Sequence, residues 1–123
     1  MNDWNVIYSD EAERDLRDIY EYIAYSLLSP MNAEGQVERI MKAVERLDQM
    51  PYRHEQYPDE PWRSIGLRFM TVDNYCVLYL PDESTMEVGI VRIMYDGRDK
   101  SSILRRDQSI IRSMRVSDNE ALF

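Results

Sequence analysis

The sequence has little of what metal and nucleophilic sites require: its 123 residues include one cysteine, one histidine and four glycines. Cys76 has no second cysteine with which to form an internal disulfide, and one cysteine with one histidine cannot supply a Cys/His zinc site. There is also no glycine-rich phosphate loop and no Ser-His-Asp set. We therefore expect no cofactor and no metal ion.

Long apolar runs are missing as well. None approaches the roughly 18 residues that a membrane span needs, and residues 1–4 lack the basic and apolar regions of a signal peptide. We therefore expect a cytoplasmic protein that does not associate with a membrane.

Basic residues are fewer than acidic residues: the chain has 15 Lys and Arg residues and 23 Asp and Glu residues, for a net charge of −8. This balance argues against general nucleic-acid binding, which requires a basic surface. The excess of negative charge lies in residues 1–60, which have 14 acidic and 6 basic side chains, whereas residues 61–123 have nine of each. An acidic half and a neutral half with a locally basic end indicate two different surfaces.

The first part of the chain predicts a strand followed by a helix. Residues 4–8 alternate in the two-residue period of a strand, and Ser9 or Asp10 can cap a helix that follows. From Ala12 to Leu27, apolar residues recur every three or four positions, which predicts an amphipathic helix of about 18 residues. Pro30 is expected to end it.

A second helix is predicted after a short connection. Asn32 is expected to cap it, residues 33–47 carry its apolar stripe, and Pro51 stops it. Because only a few residues join the two helices, they should form an antiparallel hairpin.

The remaining chain predicts a loop, three strands and a last helix. Residues 51–62 contain three prolines and no periodicity, and alternating patterns then follow at residues 65–70, 75–80 and 88–93. Short turn-rich connections indicate that consecutive strands pair antiparallel. A pattern over residues 103–114 is compatible with a last helix.

This order of elements predicts an α+β fold. An N-terminal strand and an antiparallel helical hairpin would accompany a twisted antiparallel sheet, with the hairpin covering one face of it. We expect the other face to be open or covered by the C-terminal tail, and we place the search for function there.

Arginines in and beside the predicted strands are the first candidates for function. Arg92 ends an apolar strand, Tyr95 and Arg98 follow at a glycine-containing turn, and Arg68 lies on a strand that is expected nearby. Burying an unpaired guanidinium is costly, so each needs an anionic partner or an open surface. One interpretation is an internal pair with Asp96 or Asp99, and the other is a patch that binds a phosphate or a partner's carboxylates.

His54 and Cys76 are weaker candidates. His54 is the only side chain that titrates near neutral pH without help, which makes it a candidate base, although a lone histidine in a loop is more often simply solvated. Cys76 alternates with apolar neighbours and is interpreted as a core residue, not a nucleophile.

The ordered segments of residues 4–104 resemble the RelE/ParE superfamily of toxins from bacterial type II toxin–antitoxin modules. The tail, residues 105–123, has no counterpart there, and we interpret residues 1–104 as the toxin domain, with the tail an extension of the same single domain. The segments that carry the resemblance are Val6-Ile7-Tyr8-Ser9, Ala12, Asp15-Leu16, Ile19-Tyr20-Glu21-Tyr22-Ile23, Pro61-Trp62, Gly66-Leu67-Arg68, Asn74-Tyr75-Cys76-Val77-Leu78-Tyr79 and Ile90-Val91-Arg92-Ile93-Met94-Tyr95-Asp96-Gly97-Arg98-Asp99.

The resemblance implies a small toxin that a cognate antitoxin neutralises by wrapping an extended or helical segment across it. It also implies one of two targets. The RelE-like branch cleaves mRNA on the ribosome, whereas the ParE-like branch poisons DNA gyrase and is not a nuclease. A third alternative is a relative that keeps the fold as a binding module without toxicity.

The nuclease branch matches poorly, residue by residue. Where that branch has lysines before Arg68, this chain has Ser64 and Gly66, and the arginine after the Asn-Tyr pair is here Cys76. We therefore favour protein binding over metal-independent RNA cleavage. The catalytic candidates that remain are Arg68, Arg92, Tyr95, Arg98 and, more weakly, His54, and the candidates for partner binding are Arg68, Arg92, Arg98, Arg105 and Arg106.

Overall fold

The computed structural model describes residues 3–107 and has the predicted mixed α+β architecture. Its helices and strands are β1 (Asn5–Tyr8), α1 (Asp10–Glu21) with a π-helical turn (Tyr22–Ser26), α2 (Pro30–Glu45), the short α3 (Trp62–Ile65), β2 (Arg68–Val72), β3 (Tyr75–Asp82), β4 (Glu87–Tyr95) and α4 (Lys100–Arg106). The strands and the longer helices follow one another in the predicted order, whereas the short α3 was not predicted and contains Ile65, the expected start of the first later strand.

The four strands form one sheet in the order β1-β4-β3-β2. The last three pair antiparallel, as their short connections predict, with Val77 of β3 between Met70 of β2 and Ile93 of β4. β1 adds to the free edge of β4 in parallel, so that Tyr8 lies opposite Ile90.

The helical hairpin is confirmed, but its second helix begins three residues earlier than expected. Ser9 caps α1, and its hydroxyl accepts a hydrogen bond from the Ala12 N–H at 3.0 Å. Pro30 begins α2 after the cap residue Ser29, and Asn32 lies inside the helix, so the prediction that Asn32 caps it is wrong. Proline suits the first helical position because the N–H it lacks has no partner there.

The sheet is covered on both faces. The hairpin packs on one face and buries side chains from α1, α2 and alternate strand positions, among them Ile19, Ile40 and Val77. On the other face, Trp62 and Leu104 belong to a second buried cluster. The sheet contributes Cys76, Leu78 and Leu80 to that second cluster.

The expectation of an open face, or one covered by the tail alone, is therefore corrected. Residues 76–80 of β3 are apolar or aromatic at every position, so both faces of this strand must be kept from water. The segment around Tyr57 and α3, together with α4, supplies the cover.

The predicted last helix is present in part. α4 begins at Lys100 with Asp99 as its cap, and the Ser102 N–H donates to Asp99 Oδ1 at 3.2 Å. Residues 108–123, which include the rest of the predicted helix and most of the extension, lie outside the described residues. Within residues 3–107, none of the helices has the length and apolar character to cross a membrane.

Candidate functional site

Beyond the end of β1, two side chains form hydrogen bonds with the backbone groups along the edge of β4. Ser9 Oγ donates to the carbonyl of Val91 at 2.9 Å, and Asp15 Oδ2 accepts from the Ile93 N–H at 2.9 Å. These contacts replace the backbone bonds that a longer β1 would make, because exposed strand edges need partners. They also place the Asp15 carboxylate beside Arg92.

Arg92 is held by two carboxylates. Its Nε and Nη2 donate to the two oxygens of Asp15 at 2.7 and 2.9 Å, and Nη1 pairs with Asp107 just after α4. The side chains of Arg92 and Asp15 are only 17% and 11% exposed. The hydrogen bonds to Asp15 raise the pKa of Arg92, so its charge is permanent and locally neutralised.

An internal pair for Arg92 was one of the two interpretations of the sequence, but its partners differ from the neighbours considered there. Asp15 and Asp107 take the places expected for Asp96 or Asp99. Asp15 was missed because a carboxylate on the polar face of a helix is usually solvated.

Arg68 forms hydrogen bonds with the loop that precedes α3. Its Nη1 donates to the carbonyls of Tyr52 and His54 at 3.0 and 2.6 Å, and its guanidinium lies 5.0 Å from the centre of the Tyr52 ring. Because the donors are directed at backbone carbonyls, this arginine holds the turn at residues 52–54 against β2.

His54 lies in the same turn, with its ring edge-on to Tyr79 at a centroid distance of 6.3 Å. Its Nε2 is buried and has no hydrogen-bond partner within residues 3–107. Burial lowers the pKa of His54 below its usual 6.5, and the charge of Arg53 lowers it further. Tyr79 donates its hydroxyl to the Pro51 carbonyl at 2.7 Å, and burial raises its pKa to about 12.

Tyr95 and Arg98 lie at the turn after β4. Tyr95 is exposed and packs edge-on against Tyr75 at 6.0 Å. A Cβ at Gly97 would lie 2.7 Å from a carbon of the Tyr95 ring, so glycine permits this arrangement. The Arg98 guanidinium forms no hydrogen bond or ion pair with any residue in the described part of the chain.

An open cleft of about 350 Å³ lies beside this turn. Ser101 Oγ donates to Asp59 at 2.5 Å and accepts from the Tyr57 hydroxyl at 2.7 Å, while Lys100 pairs with Asp96 at 3.2 Å. Among the described residues, Arg98 is therefore the cation at the cleft that has no ion-pair partner. The lining residues are Tyr57, Pro58, Asp59, Phe69, Asp96, Arg98, Asp99, Lys100 and Ser101.

The structure divides the candidate residues among three places. Arg68 and His54 share the β2 edge, Arg92 lies between β4 and α1, and Tyr95 and Arg98 lie at the turn after β4. The register puts Arg68 opposite Tyr79 and Tyr95 opposite Tyr75, a separation of about 14 Å along the strand direction. These side chains do not converge on one reacting group.

The two further basic candidates lie at the C-terminal end of α4. Arg105 and Arg106 are exposed, and the Arg105 guanidinium is 5.9 Å from the centre of the Trp62 ring. With Arg98 just before the other end of α4, they give this side of the molecule three cations that form no ion pair within residues 3–107. We call Arg98, Arg105 and Arg106 the basic end.

The residues that organise the cleft are not among the candidates predicted from the sequence. Tyr57 and Asp59 lie in the proline-rich segment that was interpreted as a plain loop, and Ser101 lies in the first turn of α4. Periodicity carries no signal for such contacts, because the partners are more than 40 residues apart.

Comparison with known proteins gives a family and a fold. Residues 6–100 match the family described as the ParE toxin of the type II toxin–antitoxin system parDE. No curated protein matches the sequence.

Solved structures from toxin–antitoxin systems share the fold. A chain of the chromosomal ParDE toxin–antitoxin system from P. aeruginosa is 23% identical, with a TM-score of 0.63 over 77% of this chain and 98% of that one. A chain of a RelBE toxin–antitoxin complex from Mycobacterium tuberculosis is 21% identical, with a TM-score of 0.53 over 77% and 93%. A mutant of the E. coli toxin RelE in the free state is 11% identical, with a TM-score of 0.55 over 80% and 88%.

Proposed function

Because this chain belongs to the ParE toxin family of type II toxin–antitoxin systems, we propose that it stops growth by binding a protein target, DNA gyrase, and that a cognate antitoxin neutralises it. Two of the structures that share its fold are described as parts of toxin–antitoxin systems. This likeness supports an antitoxin as the first partner of the chain.

The neutralised state of Arg92 is the observation that supports binding over RNA cleavage. Metal-free cleavage of RNA needs a base and several cations gathered around one phosphate. Arg92 already faces two carboxylates, and Arg68 is directed at backbone carbonyls. Neither guanidinium is free to stabilise the negative charge that develops on a phosphate.

The basic end is the surface that we propose for the target. Arg98, Arg105 and Arg106 are exposed, and none forms an ion pair within residues 3–107. On a chain of net charge −8, this local excess of positive charge favours an acidic patch on the partner and steers its approach.

Purified gyrase provides the test. Supercoiling should fall in proportion to the toxin added and recover when the product of the neighbouring gene, taken as the antitoxin, is added in equal amount. Unchanged supercoiling at saturating toxin would remove gyrase as the target.

Expression in cells separates the alternatives. Growth arrest accompanied by codon-linked mRNA cleavage, mapped at 5′ ends, would support a ribosome-dependent endoribonuclease instead. Expression without growth arrest would support a non-toxic binding module.

A further inference from the structure

The end of the helical hairpin exposes an apolar surface that the proposed function has not used. Residues 22–33 contain no charged side chain, although 31% of the whole chain is charged. Five large apolar or aromatic side chains in this stretch are exposed, up to 83% for Leu28 and 85% for Met31. We call these five residues the hairpin tip: Tyr22, Tyr25, Leu27, Leu28 and Met31.

The backbone of the tip holds Leu28 in an unfavourable conformation. The π-helical turn closes with a bond from the Leu27 N–H to the Tyr22 carbonyl at 3.1 Å, and the Ser29 N–H reaches back to Ile23 at 3.1 Å. Leu28, between them, has a φ of +54°. This is the position after a helix end where glycine is the usual residue, because a Cβ is strained there.

No packing contact of the Leu28 side chain in the described part of the chain offsets this backbone strain. The Leu28 side chain is directed into solvent, so it contributes little to either buried cluster. Strained backbone and π-helical turns occur preferentially at functional sites, and contiguous exposed apolar patches mark protein interfaces. The tip therefore has the character of a contact surface.

The charges beside the tip indicate the kind of partner. The first charged residue on either side is acidic, Glu21 before the tip and Glu34 after it, and both are exposed without an ion pair within residues 3–107. If a second copy of the chain docked on the tip, its Glu21 and Glu34 would lie near the same two carboxylates of the first copy. A partner with Lys or Arg around an apolar face complements them.

We propose that the hairpin tip is a docking surface for an amphipathic helix of the antitoxin, with an apolar face bordered by basic residues. This inference rests on the proposed function, because it names the part of the toxin that the neutralising partner covers. A helix is favoured over an added strand, because the tip consists of helix ends and their connection, and both sheet edges belong to other elements.

The substitution Leu28→Gly tests the proposal without threatening the fold. Glycine tolerates a positive φ, so the variant should unfold at the same or a higher temperature. Loss of the exposed side chain should nevertheless weaken binding of full-length toxin to the neighbouring gene product by about tenfold, measured by calorimetry. Met31→Ser should act in the same direction, and Glu34→Lys should weaken binding and reduce its dependence on salt.

Met50 supplies a matched control. It has a φ of +50° and is 73% exposed, but it lies after the 3₁₀ turn (Arg46–Asp48) that follows α2, outside the tip. Met50→Gly removes a similar side chain from a similar backbone conformation, so its affinity for the antitoxin should equal that of the wild type.

The outcomes distinguish the possible occupants. Equal affinity of wild type, Leu28→Gly and Met31→Ser would overturn the proposal while leaving the proposed function intact. A wild-type dimer in sedimentation that Leu28→Gly abolishes would assign the tip to a second copy instead. Loss of gyrase inhibition with unchanged antitoxin binding would assign it to the target, and a wild type that binds no antitoxin would count against the proposed function itself.

Discussion

Arg92 and Asp15 lie 77 residues apart in the sequence and meet through two parallel hydrogen bonds between α1 and β4. The Asp15 carboxylate also accepts the Ile93 N–H, so its orientation is fixed by the strand as well as by the arginine. Asp107 pairs with the same guanidinium from the end of α4. One arginine thus joins the first helix, the last strand and the last helix of the described chain.

Replacing one member of this pair should be costly. Asp15→Asn keeps the shape of the side chain but leaves Arg92 largely buried with less compensating charge, so the free energy of unfolding should fall by about 3 kcal/mol. Urea denaturation at neutral pH measures the difference.

An exposed ion pair provides the control. Asp73 pairs with Arg39 at 2.8 Å on the surface, with both side chains well exposed, so Asp73→Asn should cost less than about 1 kcal/mol. If the free energy of unfolding falls as little for Asp15→Asn as for Asp73→Asn, the Arg92 pair does not stabilise the fold.

Much of the fold follows from local sequence patterns. The capping residue Ser9, the spacing of apolar residues in both helices and the turns between the three later strands predict the hairpin and the antiparallel pairing. These patterns succeed because each depends on residues that are close in the chain.

The candidate site was less predictable, since its contacts are long-range. Arg92 was recognised as a residue that needs a partner, yet nothing in the pattern distinguishes Asp15 from the solvated carboxylates of α1. The cover of the far sheet face did leave a signal, because Cys76, Leu78 and Leu80 alternate on that face and are all apolar. That signal predicts a cover, but not which segment supplies it.

His54 should make stability depend on pH in the mildly acidic range. Burial lowers its folded-state pKa below 6.5, so the unfolded chain binds the proton more readily and the free energy of unfolding decreases as the pH falls through and below 6.5. His54→Asn should show a smaller decrease between about pH 7.5 and about pH 5.5 in urea denaturation. Parallel pH profiles for the variant and the wild type would contradict a titrating His54.

Cys76 should be inert in the folded protein. It is fully buried, and burial raises its pKa to about 11, so very little thiolate forms at neutral pH and reagents have no access to it. Labelling with a thiol reagent should proceed only at the rate at which the chain unfolds. The same protein in denaturant serves as the control, and rapid labelling without denaturant would place the thiol at the surface.

The basic end should govern binding of the target without affecting the fold. Arg98 and Arg106 are exposed and form no ion pair within residues 3–107, so Arg98→Glu and Arg106→Glu should leave the unfolding midpoint nearly unchanged. Each reversal should raise the toxin concentration needed for half-inhibition of gyrase by about tenfold, because a rim charge acts on association. Lys42→Glu is the control: this exposed cation on α2 pairs with Glu38 at 3.1 Å, and its reversal changes the net charge equally, away from α4. If all three reversals weaken inhibition to the same degree, net charge and not the basic end is responsible.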